Sequence, residues 1–284
     1  MNIKQALTYA SSKFQNIDII SYHLDSRVLL KYVTGNSLEY LLSNGEQELT
    51  KQQQNILESC INRRLNFEPI AYIVGYKEFY GYEFIVNANT LIPRGDTELL
   101  VDAALQHINP NSAILELGVG SGAIAISLLL EKPNIYLTAT DISYEVINIV
   151  KANAKKFCVT DRIKIIQSNW FESLPIEKFD IIISNPPYIA IKEISHMSAE
   201  TIKHEPRLAL FAEKDGLQSY YSIALLAYKF LKTNGKILVE VGFKQATAVS
   251  EIFSHQGYRV DQIYKDLAGH DRVLLIQNQN KLYG

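Results

Sequence analysis

Residues 113–126, Ala-Ile-Leu-Glu-Leu-Gly-Val-Gly-Ser-Gly-Ala-Ile-Ala-Ile, decide how the rest of the chain is read. A mostly apolar strand runs into Gly118, Gly120 and Gly122, and a helix opens near Ser121. Glycines at these places let the backbone turn tightly and approach a ligand beside the positive end of a helix. Roughly 20 residues on, after the apolar stretch Ile135 to Ala139, stands Asp141, where a strand-end acid suits two ribose hydroxyls. This stretch alone leaves two readings open. Gly118, Gly120 and Ala123 also satisfy the dinucleotide pattern G-x-G-x-x-G/A, so a nicotinamide enzyme fits as well. Glu116 ahead of the glycines counts against it.

Residues 181–188, Ile-Ile-Ile-Ser-Asn-Pro-Pro-Tyr, are the second informative stretch: a buried apolar strand ending in Asn185-Pro186-Pro187-Tyr188. The prolines fix φ, and the residue before a proline is pushed into extended backbone, which aims the Asn185 side chain off its own strand. Asn185 offers both an acceptor oxygen and donor hydrogens, so it can grip a flat N–H group, and Tyr188 supplies a ring face to stack on it. A planar nitrogen with a delocalised lone pair is a poor nucleophile and must be held close and in line. Hydride transfer has no use for such a tetrapeptide. A donor carrying adenosine and a methyl sulfonium does.

Composition sets the outer bounds. A chain of 284 residues, 47% apolar, can build one large domain and a small one, and a net charge of −2 draws it to no nucleic acid. Cys60 and Cys158, far apart in sequence, are expected to be buried small hydrophobes in a reducing compartment. The start of the chain has no apolar signal core and no run reaches a membrane span, so a cytoplasmic protein is expected. His23, His107, His196 and His255 lack metal-ligand spacing, and no metal is expected.

Along the chain, residues 1–66 read as helices from apolar residues at three- and four-residue spacing, with Thr50 as a helix cap and a nearly neutral charge balance. This module is expected to dock a substrate. Residues 67–92, with Ile70-Ala-Tyr-Ile-Val and an aromatic stretch around Gly75 and Gly81, are expected to form strands of a linking hairpin, its tyrosines there for packing. Residues 93–284 form the third part. Thr97 and Glu98 open a helix to about Gln106; strands follow at 113–117, 135–140, 163–167, 179–184 and 236–241, and helices at 122–131, 144–156, 217–231 and 245–255. Strict alternation predicts a parallel sheet covered on both faces, and closing strands near 258–264 and 272–277 predict an antiparallel pair at its end. His204-Glu205 reads as a loop brace and His270 as the anchor of the last turn.

Taken together these residues resemble the peptide-release-factor glutamine methyltransferases, the HemK or PrmC family of class I S-adenosylmethionine enzymes. The resemblance runs over nearly the whole chain and rests on Glu68-Pro-Ile-Ala-Tyr-Ile-Val-Gly, Leu91-Ile-Pro-Arg, Thr97-Glu98, Glu116-Leu-Gly-Val-Gly-Ser-Gly, Asn185-Pro-Pro-Tyr, Glu205-Pro-Arg-Leu-Ala-Leu, Asp215-Gly-Leu and Asp266-Leu-Ala-Gly-His-Asp-Arg-Val. It implies an α/β fold: a seven-stranded, Rossmann-like class I methyltransferase sheet with a small N-terminal helical domain joined by a β-hairpin. It implies S-adenosylmethionine as cofactor, with Glu116, Gly118, Gly120 and Gly122 along its methionine and ribose, Asp141 on the ribose, and Ile142, Asn169 and Trp170 by the adenine. Asn185 and the Pro186 carbonyl would take the acceptor amide, with Tyr188 packed on it. The implied acceptor is the glutamine of the Gly-Gly-Gln loop of class I release factors. A monomer is expected, with no membrane and no direct nucleic-acid partner; a ribosomal-protein glutamine or a nucleic-acid adenine are the alternatives. The chain departs from the family at Gly95-Asp96, where Pro then Glu is usual, and at Asn169, where an acid is common.

Overall fold

A computed structural model describes residues 1–278, so positions 279–284 of the expected third part lie outside the described residues. The chain forms two compact units. One is Met1–Tyr76 together with Ser198–His204; the other comprises residues 77–197 and 205–278 of the described chain.

The first unit is helical: α1 (Ile3–Gln15), α2 (Tyr22–Thr34), α3 (Leu38–Ser43), α4 (Lys51–Leu65) and α5 (Ile70–Val74). Phe14 of α1, Leu29 and Leu30 of α2, and Leu57, Cys60 and Ile61 of α4 share one core. Thr50 caps α4 in a reciprocal box with Gln53, as its position ahead of Lys51 predicts; such a cap stabilises by about 1 kcal/mol. Inside lies Arg64, whose Nε donates to Asp25 at 2.6 Å and whose Nη1 donates to Glu200 at 2.7 Å. That second bond ties the segment Ser198–His204 into the helical unit, where the His204 ring also meets the Asn66 carbonyl at 3.0 Å.

The expectation of strand at 70–74 is wrong. Ile70, Ile73 and Val74 favour strand by propensity, a scale spanning about 1 kcal/mol. Burying Ile73 and Val74 in the helical core stabilises by about 1.5–3 kcal/mol each, so packing wins. Pro69 starts the turn and Gly75, at φ 85°, ends it in the left-handed region. The boundary expected at residue 66 accordingly moves to Tyr76. The hairpin is shorter than expected: β1 (Tyr76–Phe79) and β2 (Tyr82–Ile85). Its Phe79 and Phe84 are buried, while Tyr80 and Tyr82 donate to Asp102 and Glu131, which is packing and not an open stacking platform.

The second unit holds the sheet: β3 (Ala113–Leu117), β4 (Tyr136–Asp141), β5 (Ile163–Gln167), β6 (Phe179–Ser184), β7 (Leu231–Glu240), β8 (Tyr258–Lys265) and β9 (Asp271–Asn278). Their order is β5-β4-β3-β6-β7-β9-β8, parallel except for β9, which runs antiparallel to both neighbours. Successive side chains alternate between two cores. Ile181, Ile183 and Leu238 face α6 (Glu98–Leu105), α7 (Ala123–Glu131) and α8 (Tyr144–Lys156); Ile182, Ile237 and Val239 face the helices Gln218–Leu226 and Ala246–His255. The chain reverses sides between β3 and β6, and there the carboxyl ends of the parallel strands leave a crevice for ligand. His270 lies in the β8–β9 turn as expected, its N–H donating to Asp266. Cys158 corrects a second expectation: it is exposed, because it occupies the left-handed position (φ 56°) that ends α8.

Candidate active site

The loop after β3 is shaped by its backbone. Gly118 and Gly120 have φ of 71° and 54°, and a Cβ at either would meet nothing within 4 Å, so open space lies beside them. Gly122 has another reason: a Cβ there would come within 3.1 Å of Ile126 and 3.2 Å of Val150, so its bareness lets α7 and α8 pack. Val119 N–H donates to the Thr140 carbonyl at 2.9 Å, and Gly120 N–H donates to Asp141 Oδ2 at 3.1 Å. Asp141 Oδ1 accepts from Ser143 N–H at 3.0 Å. A carboxylate has about four lone-pair sites, so Asp141 can brace the loop and still accept from two hydroxyls. Burial pushes its carboxyl up, and the N–H groups of Ser143 and Gly120 pull it back.

Glu116 is 1% exposed, and neither carboxyl oxygen has a hydrogen-bond partner among the described residues. Burial pushes its carboxyl well above the usual carboxylate range, against a pull from the nearby Ala125 N–H and with a smaller push from Asp141. An orphaned buried carboxyl on a cavity wall is costly, and a polar ligand would relieve it.

On the neighbouring strand, Ser184 Oγ donates to the Leu117 carbonyl at 2.8 Å, which fixes where β6 releases Asn185. Asn185 Nδ2 donates to Thr97 Oγ1 at 3.0 Å and so leaves Oδ1 as the end that can accept. Behind the motif, Ser219 Oγ donates to the Pro187 carbonyl and Gln245 Nε2 to the Tyr188 carbonyl, each at 2.9 Å. The fit is tight enough to require glycine. A Cβ at Gly216 would stand 2.1 Å from the Tyr188 carbonyl oxygen, and one at Gly242 would stand 2.8 Å from the Tyr188 ring. The adjacent Leu91-Ile-Pro-Arg stretch is held by buried Glu205, which pairs with Arg94 and accepts from Ile92 N–H at 3.2 Å. That is the bracing role its sequence predicts.

A cavity of about 430 Å³ joins these parts. Among the residues singled out from sequence, Glu116, Gly118, Gly120, Asp141, Ile142, Asn169, Trp170 and Asn185 line it. Gly122, Pro186 and Tyr188 do not. Gly122 sits behind the loop, and Pro186 is buried. The Tyr188 ring packs on the core beneath the sheet with its hydroxyl 3.5 Å from Glu240, so the stacking expected of it is not what the geometry offers. Of the residues where the chain departs from the family pattern, Asp96 pairs with Arg272 at 3.2 Å and Asn169 donates to Glu172 at 2.8 Å.

Sequence reading missed Asn153. Its Nδ2 donates to the Ser121 carbonyl at 2.8 Å and its Oδ1 accepts from Ile85 N–H at 2.8 Å, joining the glycine loop to the hairpin. The available signal was an amide on the buried face of α8, in register with Val146 and Val150. It also missed Thr97 as the partner of Asn185, and Glu240, an acid inside the apolar run Ile237 to Val241.

Comparison with known proteins agrees with this architecture. Residues 5–75 match the PrmC N-terminal domain and residues 94–251 the methyltransferase small domain. The chain is 50% identical to a bifunctional methyltransferase of Rickettsia conorii over 99% of its own length and 59% of that protein's, so it spans little more than half of that longer relative. It is 38% identical to a release factor glutamine methyltransferase of Salmonella typhimurium, covering 88% of this chain and 90% of that one. Among solved structures, a methyltransferase from Pyrococcus furiosus superposes with a TM-score of 0.54 at 18% identity, over 81% of this chain and 99% of that chain. That likeness is one of fold.

Proposed function

Because this chain belongs to the release factor glutamine methyltransferase family, we propose that it methylates the side-chain amide nitrogen of the glutamine in the Gly-Gly-Gln motif of class I peptide chain release factors. The observation that carries this reading is Asn185, held through Nδ2 by Thr97 with Oδ1 left to accept, on the wall of a cavity it shares with Glu116 and Asp141.

The residues fit S-adenosylmethionine as the methyl source. Glu116 has an orphaned carboxyl, and Gly118 and Gly120 leave open space where side chains would intrude. In this reading Asp141 takes the ribose hydroxyls, while exposed Ile142, with Asn169 and Trp170, flanks the adenine. When bound, S-adenosylmethionine supplies an electrophilic methyl carried on a sulfonium. The protein's part is positioning. Asn185 Oδ1 accepts one N–H of the substrate amide, which orients the nitrogen and raises its electron density; the resemblance to the family assigns the other N–H to the carbonyl of Pro186, a residue that does not itself line the cavity. Holding two reactants in line contributes on the order of 7–11 kcal/mol in favourable cases. Fixed dipoles at the strand ends would add electrostatic stabilisation to positive charge developing on the substrate nitrogen. The donor would supply the methyl for the new N–C bond, and the amide, held by Asn185, would then give up its extra proton to water. No general base is required.

The test is transfer of labelled methyl to an intact release factor, to the same factor with its loop glutamine changed to alanine, and to duplex DNA. Label in the unmodified factor alone is expected. Label in DNA alone would overturn the proposal in favour of adenine methylation, and label in neither would refute the release factor as acceptor.

A further inference from the structure

A single helical turn, Gly95–Thr97, brings the Thr97 hydroxyl to Asn185 Nδ2 at 3.0 Å. Thr97 is buried and its N–H donates to the Arg94 carbonyl at 3.1 Å, so the hydroxyl goes where the turn goes. The first residue of that turn is its loosest. Gly95 has no side chain to restrict its backbone, and a Cβ added there would meet nothing within 4 Å. Ahead of it, Arg94 is clamped by buried Glu205. Just after it, Asp96 Oδ2 pairs with Arg272 at 3.2 Å.

Arg272 is itself firmly held. Its Nε donates to Asp266 Oδ2 at 2.9 Å, and its carbonyl accepts from Val241 N–H at 2.8 Å. Asp266 in turn accepts through Oδ1 from the N–H groups of Ala268 and His270, each at 2.9 Å. The guanidinium is therefore fixed on the sheet and on the β8–β9 turn, with Nη2 directed at Asp96. An ion pair whose acid is more than half exposed adds little to global stability. Its effect is local, because it removes the freedom that Gly95 allows.

We propose that Arg272 is a positioning residue for Asn185: through Asp96 it restrains the turn that Gly95 loosens, and that turn presents Thr97 to the Asn185 amide. The proposal rests on the reading of Asn185 as the group that accepts from the substrate amide. Without Arg272 the turn wanders, the Thr97–Asn185 bond is made for a smaller share of the time, and Oδ1 faces the cavity less often. Proline at position 95 would stiffen the same turn by another route. Gly95 opens the turn, where a backbone N–H has no partner within the helix and the φ that proline fixes is suitable. Arg94 stands at φ −100° and ψ 145°, the extended backbone that a following proline demands.

The test is a rescue. In Arg272→Met, kcat for methyl transfer to the release factor should fall about 5- to 20-fold, with S-adenosylhomocysteine affinity within about threefold of wild type. Asp96→Ala, at an exposed side chain, should fall by a similar factor, and the double variant should fall no further. Gly95→Pro alone should keep kcat within about twofold and, added to either variant, should restore most of it. The side-chain amide signals of Asn185 in 15N NMR, assigned by their loss in Asn185→Ser, should move or broaden in both single variants and return with the proline. Arg272 and Asp96 carry opposite charges, so an effect of their fields on the site would differ in sign between the two variants, and proline would not reverse it. Unchanged kcat and Asn185 signals in both single variants, changes of opposite sign, losses that Gly95→Pro leaves in place, or inactivity of Gly95→Pro by itself would overturn the proposal. The NMR readout needs no methyl acceptor, so it stands or falls apart from the identity of the substrate.

Discussion

Where β3 meets its glycine loop, the buried carboxyl of Glu116 has no hydrogen-bond partner among the described residues; where β6 meets Asn185, the motif's amide nitrogen and its Pro187 and Tyr188 carbonyls are already tied to Thr97, Ser219 and Gln245. The first region keeps an unmet polar demand on a cavity wall and answers it only by binding something. The second is finished before anything binds, down to glycines that admit no added carbon against Tyr188. The difference fits the two tasks proposed. Affinity for a cofactor grows from satisfying orphaned groups, whereas rate grows from groups already fixed along the path of the reacting atoms.

The largest expected effect is therefore at the finished region. Asn185→Ala should lower kcat about 10²- to 10³-fold, the range seen for losing one preorganised polar group, while S-adenosylhomocysteine affinity stays within about threefold. Single-turnover methyl transfer and calorimetric titration on the same preparation would show it. Near-normal turnover in a folded variant would erase the contrast between the two regions.

Next in size is the backing of the motif. Gly216→Ala places a carbon 2.1 Å from the Tyr188 carbonyl oxygen at φ 84°, so overpacking and left-handed strain combine to cost about 3 kcal/mol or more. Gly118→Ala meets no atom within 4 Å and should cost only the backbone term, about 1–2 kcal/mol. Denaturant midpoints for the pair give the comparison directly; equal losses would mean that the motif is not tightly backed. Smaller again is Asp141→Ala, expected to weaken cofactor binding about 10- to 100-fold through lost ribose contacts and a loosened Gly120 loop. Turnover at saturating cofactor should change far less. A fall in kcat as large as that of Asn185→Ala would deny the division of labour.

The two regions also differ in how far they could be read from sequence. The glycine loop, Asp141 and the Asn185 tetrapeptide are local patterns, each legible within about 10 residues, because turn chemistry and proline restriction are local physics. The same holds for the Thr50 cap and the alternation that sets the sheet. What supports Asn185 was hidden, since Thr97 reaches it across 88 residues of chain through a side chain that a one-dimensional pattern does not join. Residues 70–74 failed for a related reason: their β-branched composition is a local signal, overruled by burial in the helical core. Tyr188 failed because a ring that could face outward for stacking packs inward, with its hydroxyl toward an acid the reading had not placed.

The smallest expected effect concerns stability alone and isolates the unmet demand at Glu116. Its carboxyl is raised well above the ordinary 4.5 in the folded chain, so between those values the folded state holds a proton that the unfolded state has released. The slope of stability against pH is then negative. The contribution is fully present below the unfolded value and is lost as pH rises through the folded one. Glu116→Gln deletes this dependence, because the amide is neutral throughout, so its stability curve should be flatter and should gain on wild type toward alkaline pH. Urea unfolding of both proteins at several pH values measures it. A mutant curve parallel to wild type would mean that Glu116 ionises freely where it stands, and the first region would then be as finished as the second.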